Sequence, residues 1–318
     1  MIKSRGKIPV AAIIGPTAVG KTAISLEVAP LIEGEVISID SRQVYRYMDI
    51  GTDKVSREER LHTIHHLIDV ADPDDTFTAA RFVEEANSAI KRIIVREKRP
   101  LLVGGTPFYY NALFAEMLTA SLESDPEIRK SLLQEAEIKG KKHLYHKLEE
   151  SDPELASRIH PNDLVRIVRG LEILYTTGKP ASWWYKHGKK IKNPYDVLYI
   201  GIIRSRQIAY KNIELRAKGQ FQRGLIDEVN WLLKNGFDER FTPMQGFGYK
   251  EVIRYLRGLY SIDEALAYYI RATKAFYRRQ MTWFKKFKPV MWYDLDETNK
   301  EIAINDIVEK ILKHMGAE

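Results

Sequence analysis

The sequence predicts an α/β fold, a doubly wound parallel sheet into which a small all-helical domain is inserted. Three observations predict it. Short apolar runs, each followed by a loop and a helix-periodic segment, recur through the first part of the chain. That rhythm stops from about Asp125 to Lys179, where no convincing strand occurs and Pro and Gly cut the segment into short helices. It returns at Asp196–Ile203 (DVLYIGII), where the sheet resumes. The division that follows is a core of residues 1–120 and 190–318 and an insertion of residues 121–189.

The first strand is the apolar run Pro9–Ile14, and it leads into Gly15-Pro16-Thr17-Ala18-Val19-Gly20-Lys21-Thr22. Two glycines at this spacing followed by Lys and Thr form the phosphate-cradling pattern, so the core is P-loop-type. The glycines let the backbone curl until several N–H groups point inward, and the next helix adds the positive end of its dipole. Lys21 reaches the outer phosphate, and the Thr22 hydroxyl suits a Mg²⁺ bound to it. A di- or triphosphate is expected here; the loop alone does not say which. The helix reads as Thr22–Ile32, with Ile24, Val28 and Leu31 on one face.

The second strand, Glu35–Ile39, ends in Asp40-Ser41-Arg42-Gln43. Ligands of open parallel sheets sit beyond the carboxyl ends of the strands, which places Asp40 near the phosphate loop. His65-His66 follows a polar loop. Nothing nearby completes a metal-ligand set, so the pair reads as structural. Thr76–Glu97 is a helix with Val83, Ala86, Ile90 and Ile93 at core spacing. Leu101–Val103 is a third strand entering Gly104-Gly105-Thr106, with Thr106 as N-cap and Pro107 at the first helical position. Beyond the insertion, helices cover about Ser205 to Asn235, and another follows Gln245–Lys250 to about Arg257. Ser261 and Glu264 form a capping box opening a long helix to about Lys286. Val290–Tyr293 and Glu301–Met315 are the last strand and helix.

Composition narrows the function classes. A chain of 318 residues, 44% hydrophobic, fills one large core and a smaller second one. The absence of cysteine excludes disulfides, thiolate zinc sites and thiol nucleophiles, and fits a reducing compartment. No apolar run approaches membrane-spanning length, and the N-terminal one passes straight into the phosphate loop as a strand. A soluble, cytoplasmic chain is expected, with no membrane partner and, lacking heptads, a monomeric state. The formal charge is +7, and the seven basic residues between Arg271 and Lys288, with no acid among them, match it. Arg271, Lys274 and Arg278 share one helical ridge, and Phe276, Tyr277, Trp283, Phe284 and Phe287 are interleaved with the cations. This is the footprint of a nucleic-acid partner. Trp183-Trp184-Tyr185 reads either as a base-stacking platform or as the closure of the inserted domain's core.

Nucleotide hydrolases and kinases with this loop also need an acid at the end of an apolar strand to organise Mg²⁺. Leu101–Gly105 offers none. Asp40 is the acid nearest in plan, placed to take a proton from a hydroxyl or an amine. The residues therefore point to a transferase acting on a nucleic acid.

The sequence resembles the tRNA dimethylallyltransferase family, which prenylates an adenine beside the anticodon. The resemblance runs through GPTAVGKT at 15–22, ISIDSRQVYRYMDIGT at 37–52, HHLIDV at 65–70 and LLVGGTPFYYNAL at 101–113. It continues through HPNDLVRIVRGLEI at 160–173, GFGYKE at 246–251 and RRQMTWFKKF at 278–287. It implies that Gly15, Pro16, Thr17, Ala18, Val19, Gly20, Lys21, Thr22 and Arg216 hold the diphosphate of dimethylallyl diphosphate, with Mg²⁺ shared by Thr22. It also implies that Asp40 accepts the proton of the exocyclic N6 amine while Lys21 and Arg216 stabilise the departing diphosphate. The acceptor would be the adenine 3′-adjacent to the anticodon in tRNAs reading codons that begin with U.

The anticodon stem-loop would be held by Asp40, Ser41, Arg42, Gln43, Thr106, Val165, Arg166, Ile167, Val168, Arg169, Gln245, Gly248, Tyr249, Lys250, Arg278, Arg279, Gln280, Trp283 and Lys285. Val165 and Lys274 depart from the Gln and Arg common at those positions. Two other classes are compatible with parts of the pattern: a small-molecule P-loop kinase, and a non-catalytic RNA-binding protein.

Overall fold

The computed structural model describes residues 6–114, 122, 124–188 and 193–316. The chain divides into two compact units, Met1–Leu113 with Pro194–Glu318, and Phe114–Asn193. Among the described residues the first unit contains strands β1 (Ile8–Ile14), β2 (Gly34–Ile39), β3 (His65–His66), β4 (Arg99–Gly104), β5 (Tyr195–Ile203) and β6 (Met291–Asp294). They form one sheet in the order β3-β2-β4-β1-β5-β6. Every pairing is parallel, β1 lying between β4 (Ala11 beside Leu101) and β5 (Ala11 beside Leu198).

An all-parallel sheet has helices on both faces, and the central strand shows it: Val10 to Ile14 are all 0% exposed. On one face, α1 (Lys21–Leu31) and α14 (Lys300–His314) bring Ile24, Val28, Ile304 and Ile307 against Ile13, Val36 and Leu101. The chain leaves β1 toward β2 on one side and returns to β5 on the other. This makes the carboxyl end of β1 a topological switch point, where α/β sheets bind ligands. Because the strands are parallel, the phosphate loop, Asp40 and Gly104-Gly105 emerge from the same edge.

Local differences from the expected elements have physical reasons. Leu31 is 57% exposed: α1 ends there, and the turning chain buries Ile32 in its place. In α3 (Ala79–Val95) the buried stripe begins at Phe82, not at Val83, which is half-buried. His65-His66, read as a structural pair after a polar loop, is the edge strand β3, and a short helix α2 (Arg57–His62), capped by Ser56 and Glu59, precedes it. Two residues paired to Val36 and Ile37 are too short a strand for hydrophobic periodicity to reveal.

After β4 comes α4 (Pro107–Phe114). The second unit contains α5 (Pro126–Lys139), α6 (Lys141–Ser151), α7 (Pro153–Ala156), α8 (Leu164–Thr177) and α9 (Ala181–His187). Leu132, Leu144, Leu148, Ile167 and Leu171 form its core, and Trp184 packs against it, donating its Nε1 proton to Thr177 Oγ1 at 2.9 Å. In the first unit, α10 (Arg206–Gln222), α11 (Leu225–Lys234), α12 (Tyr249–Leu256) and α13 (Ile262–Phe284) complete the fold before β6. The capping box of Ser261 and Glu264 that opens α13 forms as the sequence predicts.

Candidate active site

The phosphate loop closes against the sheet because its two glycines do what other residues cannot. Gly15 has φ +148°, and a Cβ there would lie 2.3 Å from the Ile202 carbonyl oxygen. Gly20 has φ +101° and meets nothing closer than 3.7 Å, so its requirement is conformational. Between them Ala18 holds φ 65°, a strained value for a residue with a side chain. Among the described residues, no protein acceptor takes the backbone N–H groups of Ala18 to Thr22. Five successive donors at a helix N-terminus make an anion cradle.

A cleft of about 510 Å³ opens beside this cradle, lined by Thr17, Lys21, Thr22, Asp40, Gln43, Gly105, Arg216 and Gln280 among others. Lys21 donates to the Pro16 carbonyl at 2.6 Å. Burial, and then the Arg216 charge, lower its pKa to about 7 against the opposing pull of Asp40. Arg216 reaches in from α10, donating to Thr17 Oγ1 at 2.6 Å, while Asp53 lies 3.5 Å from its guanidinium. From the same helix Asn212 donates to the Ala18 carbonyl at 3.1 Å.

Asp40 follows β2 directly. Its Oδ1 accepts the backbone N–H groups of Arg42 (2.8 Å) and Gln43 (3.3 Å), an Asx turn that fixes the carboxylate. The second oxygen, Oδ2, has no such partner among the described residues and can receive a proton from an acceptor group. Ser41 N donates to Thr106 Oγ1 at 3.2 Å, so the loops after β2 and β4 are tied beside it. Gln43 donates to the carbonyls of Thr52 (3.4 Å) and Asp53 (3.3 Å) across the cleft.

The structure thus brings Thr17, Lys21, Thr22, Asp40, Gln43, Thr106 and Arg216 together. Other residues expected at the RNA lie inside the protein. Tyr249 is 1% exposed and donates its hydroxyl proton to Glu228 at 2.6 Å; burial, first, and the Glu228 charge push its ionisation well above the ordinary tyrosine range. Gly248 is buried, its N–H given to Glu251 at 2.8 Å. Gln280 is 3% exposed. Ile167 and Val168 are 0% and 1% exposed in the helical unit's core, because α8 turns them inward. Arg169 of the same helix is turned to Glu172 (3.0 Å) and the Leu122 carbonyl (2.8 Å).

Val165 and Arg166 are exposed, as are Gln245, Arg278, Arg279 and Lys285, while Arg42, Lys250 and Trp283 are half-buried. The basic ridge is not wholly without counter-charge. Lys274 pairs with Glu214 at 2.5 Å, a partner 60 residues away that the local sequence conceals. Sequence reasoning also missed Glu228. Its carboxylate accepts the N–H groups of Asp49 (2.8 Å), Ile50 (2.7 Å) and Gly51 (3.1 Å) and so clamps the loop that leads to Thr52 and Asp53 in the cleft wall.

Comparison with known proteins places this geometry. The family model described as IPP transferase matches residues 43–287. The tRNA dimethylallyltransferase of Dictyoglomus turgidum is 45% identical over 291 residues, 92% of this chain and 89% of its own. That of Carboxydothermus hydrogenoformans is 44% identical over 304 residues, 96% of each chain. Among solved structures, the full-length tRNA isopentenylpyrophosphate transferase of Bacillus halodurans matches with a TM-score of 0.72 at 37% identity, covering 98% of this chain and 97% of that one. A eukaryotic dimethylallyltransferase acting on tRNA matches with a TM-score of 0.81 at 28% identity, over 95% of this chain and 80% of its own. With such identity sustained over almost its whole length, the chain belongs to the IPP transferase family, as one of the tRNA dimethylallyltransferases.

Proposed function

We propose that the chain transfers the dimethylallyl group of dimethylallyl diphosphate to the N6 amine of the adenine 3′-adjacent to the anticodon, in tRNAs reading codons that begin with U. The observation that carries this reading is one cleft holding a cradle of free N–H groups at one end and, beside it, the Asp40 carboxylate oriented by its Asx turn, while the other carboxylate of the lining, Asp53, faces Arg216. The Ala18–Thr22 amides, Lys21 and Arg216 bind the diphosphate. The N6 lone pair attacks the allylic C1 as the C1–O bond breaks, and the bonding pair leaves on the diphosphate oxygen. The exocyclic amine is a weak nucleophile, so its developing positive charge is relieved by transfer of the N6 proton to Asp40 Oδ2. Lys21 and Arg216 stabilise the charge that appears on the leaving oxygen. The adenine leaves its stack to enter the cleft, as base-modifying enzymes require.

The residues fit a Mg²⁺ ion. Among the described residues there is no cluster of three or more His, Asp or Glu side chains placed to hold a metal. Thr22 offers one hydroxyl in the cleft, and the ion would take its remaining ligands from diphosphate oxygens and water, the usual manner of Mg²⁺. When bound it supplies Lewis-acid neutralisation of the leaving group. Arg278, Arg279, Lys285 and the exposed side chains of α8 are the surfaces we assign to the RNA. We propose a monomer acting in the cytoplasm.

Single-turnover transfer of labelled dimethylallyl to an anticodon stem-loop tests the reading. Asp40→Ala is expected to slow the chemical step about 10²–10⁴-fold while RNA affinity stays within about twofold. Loss of RNA binding in step with the rate would remove Asp40 from the base role.

A further inference from the structure

Gln280 follows two solvent-facing arginines of α13, yet its own side chain is buried at 3% exposure. Both ends of its amide are engaged inside the protein. Oε1 accepts the backbone N–H of Thr17 at 2.9 Å, and Nε2 donates to the Gly105 carbonyl at 2.5 Å. The orientation is forced by chemistry, since a flipped amide would set donor against donor and acceptor against acceptor. The two partners belong to the loops that follow β1 and β4, neighbouring parallel strands whose loops both line the cleft. One side chain therefore sets the spacing between those two loops.

Thr17 is the residue immediately before the five free N–H groups. Its N–H is held from α13 by Gln280, and its hydroxyl is held from α10 by Arg216. Rotation of the Thr17 peptide would turn every donor of the cradle that follows, so its restraint is a restraint on the anion site. Gly105 is shaped around the same amide: a Cβ there would stand 2.6 Å from Gln280 Nε2. Arg278 and Arg279, just before Gln280 on the helix, are exposed. The helix thus has an outer face of cations and an inner face bonded to the phosphate loop.

We propose that Gln280 is a positioning residue of the transfer reaction, one that fixes the phosphate loop for the donor and makes no contact with RNA. The proposal rests on the reading of the loop as the diphosphate site. Gln280→Met keeps the volume and removes both hydrogen bonds. Gln280→Glu keeps an acceptor for Thr17 but sets a carboxylate beside the Gly105 carbonyl. Gly105→Ala displaces the amide from the opposite side without altering Gln280 itself.

The experiment measures two affinities for each variant: inorganic diphosphate with Mg²⁺ by titration calorimetry, and an unmodified anticodon stem-loop by fluorescence anisotropy. Thermal unfolding of each variant establishes that it is folded. Gln280→Met is expected to bind diphosphate about tenfold more weakly and Gln280→Glu more weakly still, with RNA affinity within about twofold in both. Steady-state transfer should show the donor KM raised and the RNA KM unchanged, and Gly105→Ala should repeat this pattern. Unchanged diphosphate affinity in folded Gln280→Met, or RNA affinity lost in place of it, would overturn the proposal. The diphosphate-site reading fails by a separate result, a wild-type protein that binds no diphosphate at all.

Discussion

Burial and the neighbouring Arg216 guanidinium bring the pKa of Lys21 down to about 7, Asp40 only partly opposing them. A bound diphosphate adds negative charge beside the ammonium and raises its pKa again. Above neutral pH the free protein therefore carries a largely neutral Lys21, and binding draws in a proton. At pH 8, calorimetric titration with diphosphate in two buffers of different ionisation enthalpy should show uptake of about one proton. Affinity should weaken up to about tenfold per pH unit above that value. Zero proton uptake would mean Lys21 is charged before the anion arrives. The lysine itself was legible from eight consecutive residues, since a phosphate loop is a local pattern. Its depressed pKa was not, because Arg216 stands 195 positions away and only folding sets the two together.

Among the elements, the edge of the sheet depends on one buried carboxylate. Glu35, 5% exposed on β2, accepts two bonds from Arg96 (3.1 and 2.5 Å) and one from His66 of β3 at 2.6 Å. Burial by itself raises its pKa, but those bonds more than offset it, and the net shift is below the ordinary 4.5. A depressed carboxylate stabilises the fold above its unfolded pKa, and that stability is lost as pH falls through the folded value. Glu35→Gln should cost about 2–4 kcal/mol at neutral pH by urea unfolding, with the gap to wild type closing below pH 4.5. A gap that stays constant with pH would show that the pairing adds only shape. His66 is thus structural, as its lack of nearby ligands implied, but the strand it forms is too short for a sequence pattern to show. Glu228 was illegible for a related reason. It clamps a loop 177 to 179 residues away, and nothing in its own neighbourhood marks it.

At the scale of the molecule, the sheet order was recoverable in class but not in detail. Apolar runs alternating with helices require a parallel sheet, whereas the placement of β1 between β4 and β5 comes from long-range pairing. That placement is what puts the loops after β1, β2 and β4 around one cleft. The resemblance named residues in those loops and others on or just after α12 and α13, and burial sorts the second group. Gln280 and Tyr249 turn inward and are buried, while Arg278, Arg279 and Lys285 are exposed cations. The central claim is that this cleft joins an allylic diphosphate to an adenine. The most direct test is incubation of the protein with radiolabelled dimethylallyl diphosphate, Mg²⁺ and an unmodified anticodon stem-loop, without ATP. Label recovered on the N6 of the adenine 3′ to the anticodon is the expected result. Unlabelled RNA, with ATP consumed once small hydroxylated acceptors are supplied, would contradict the account and make the cradle a nucleotide site.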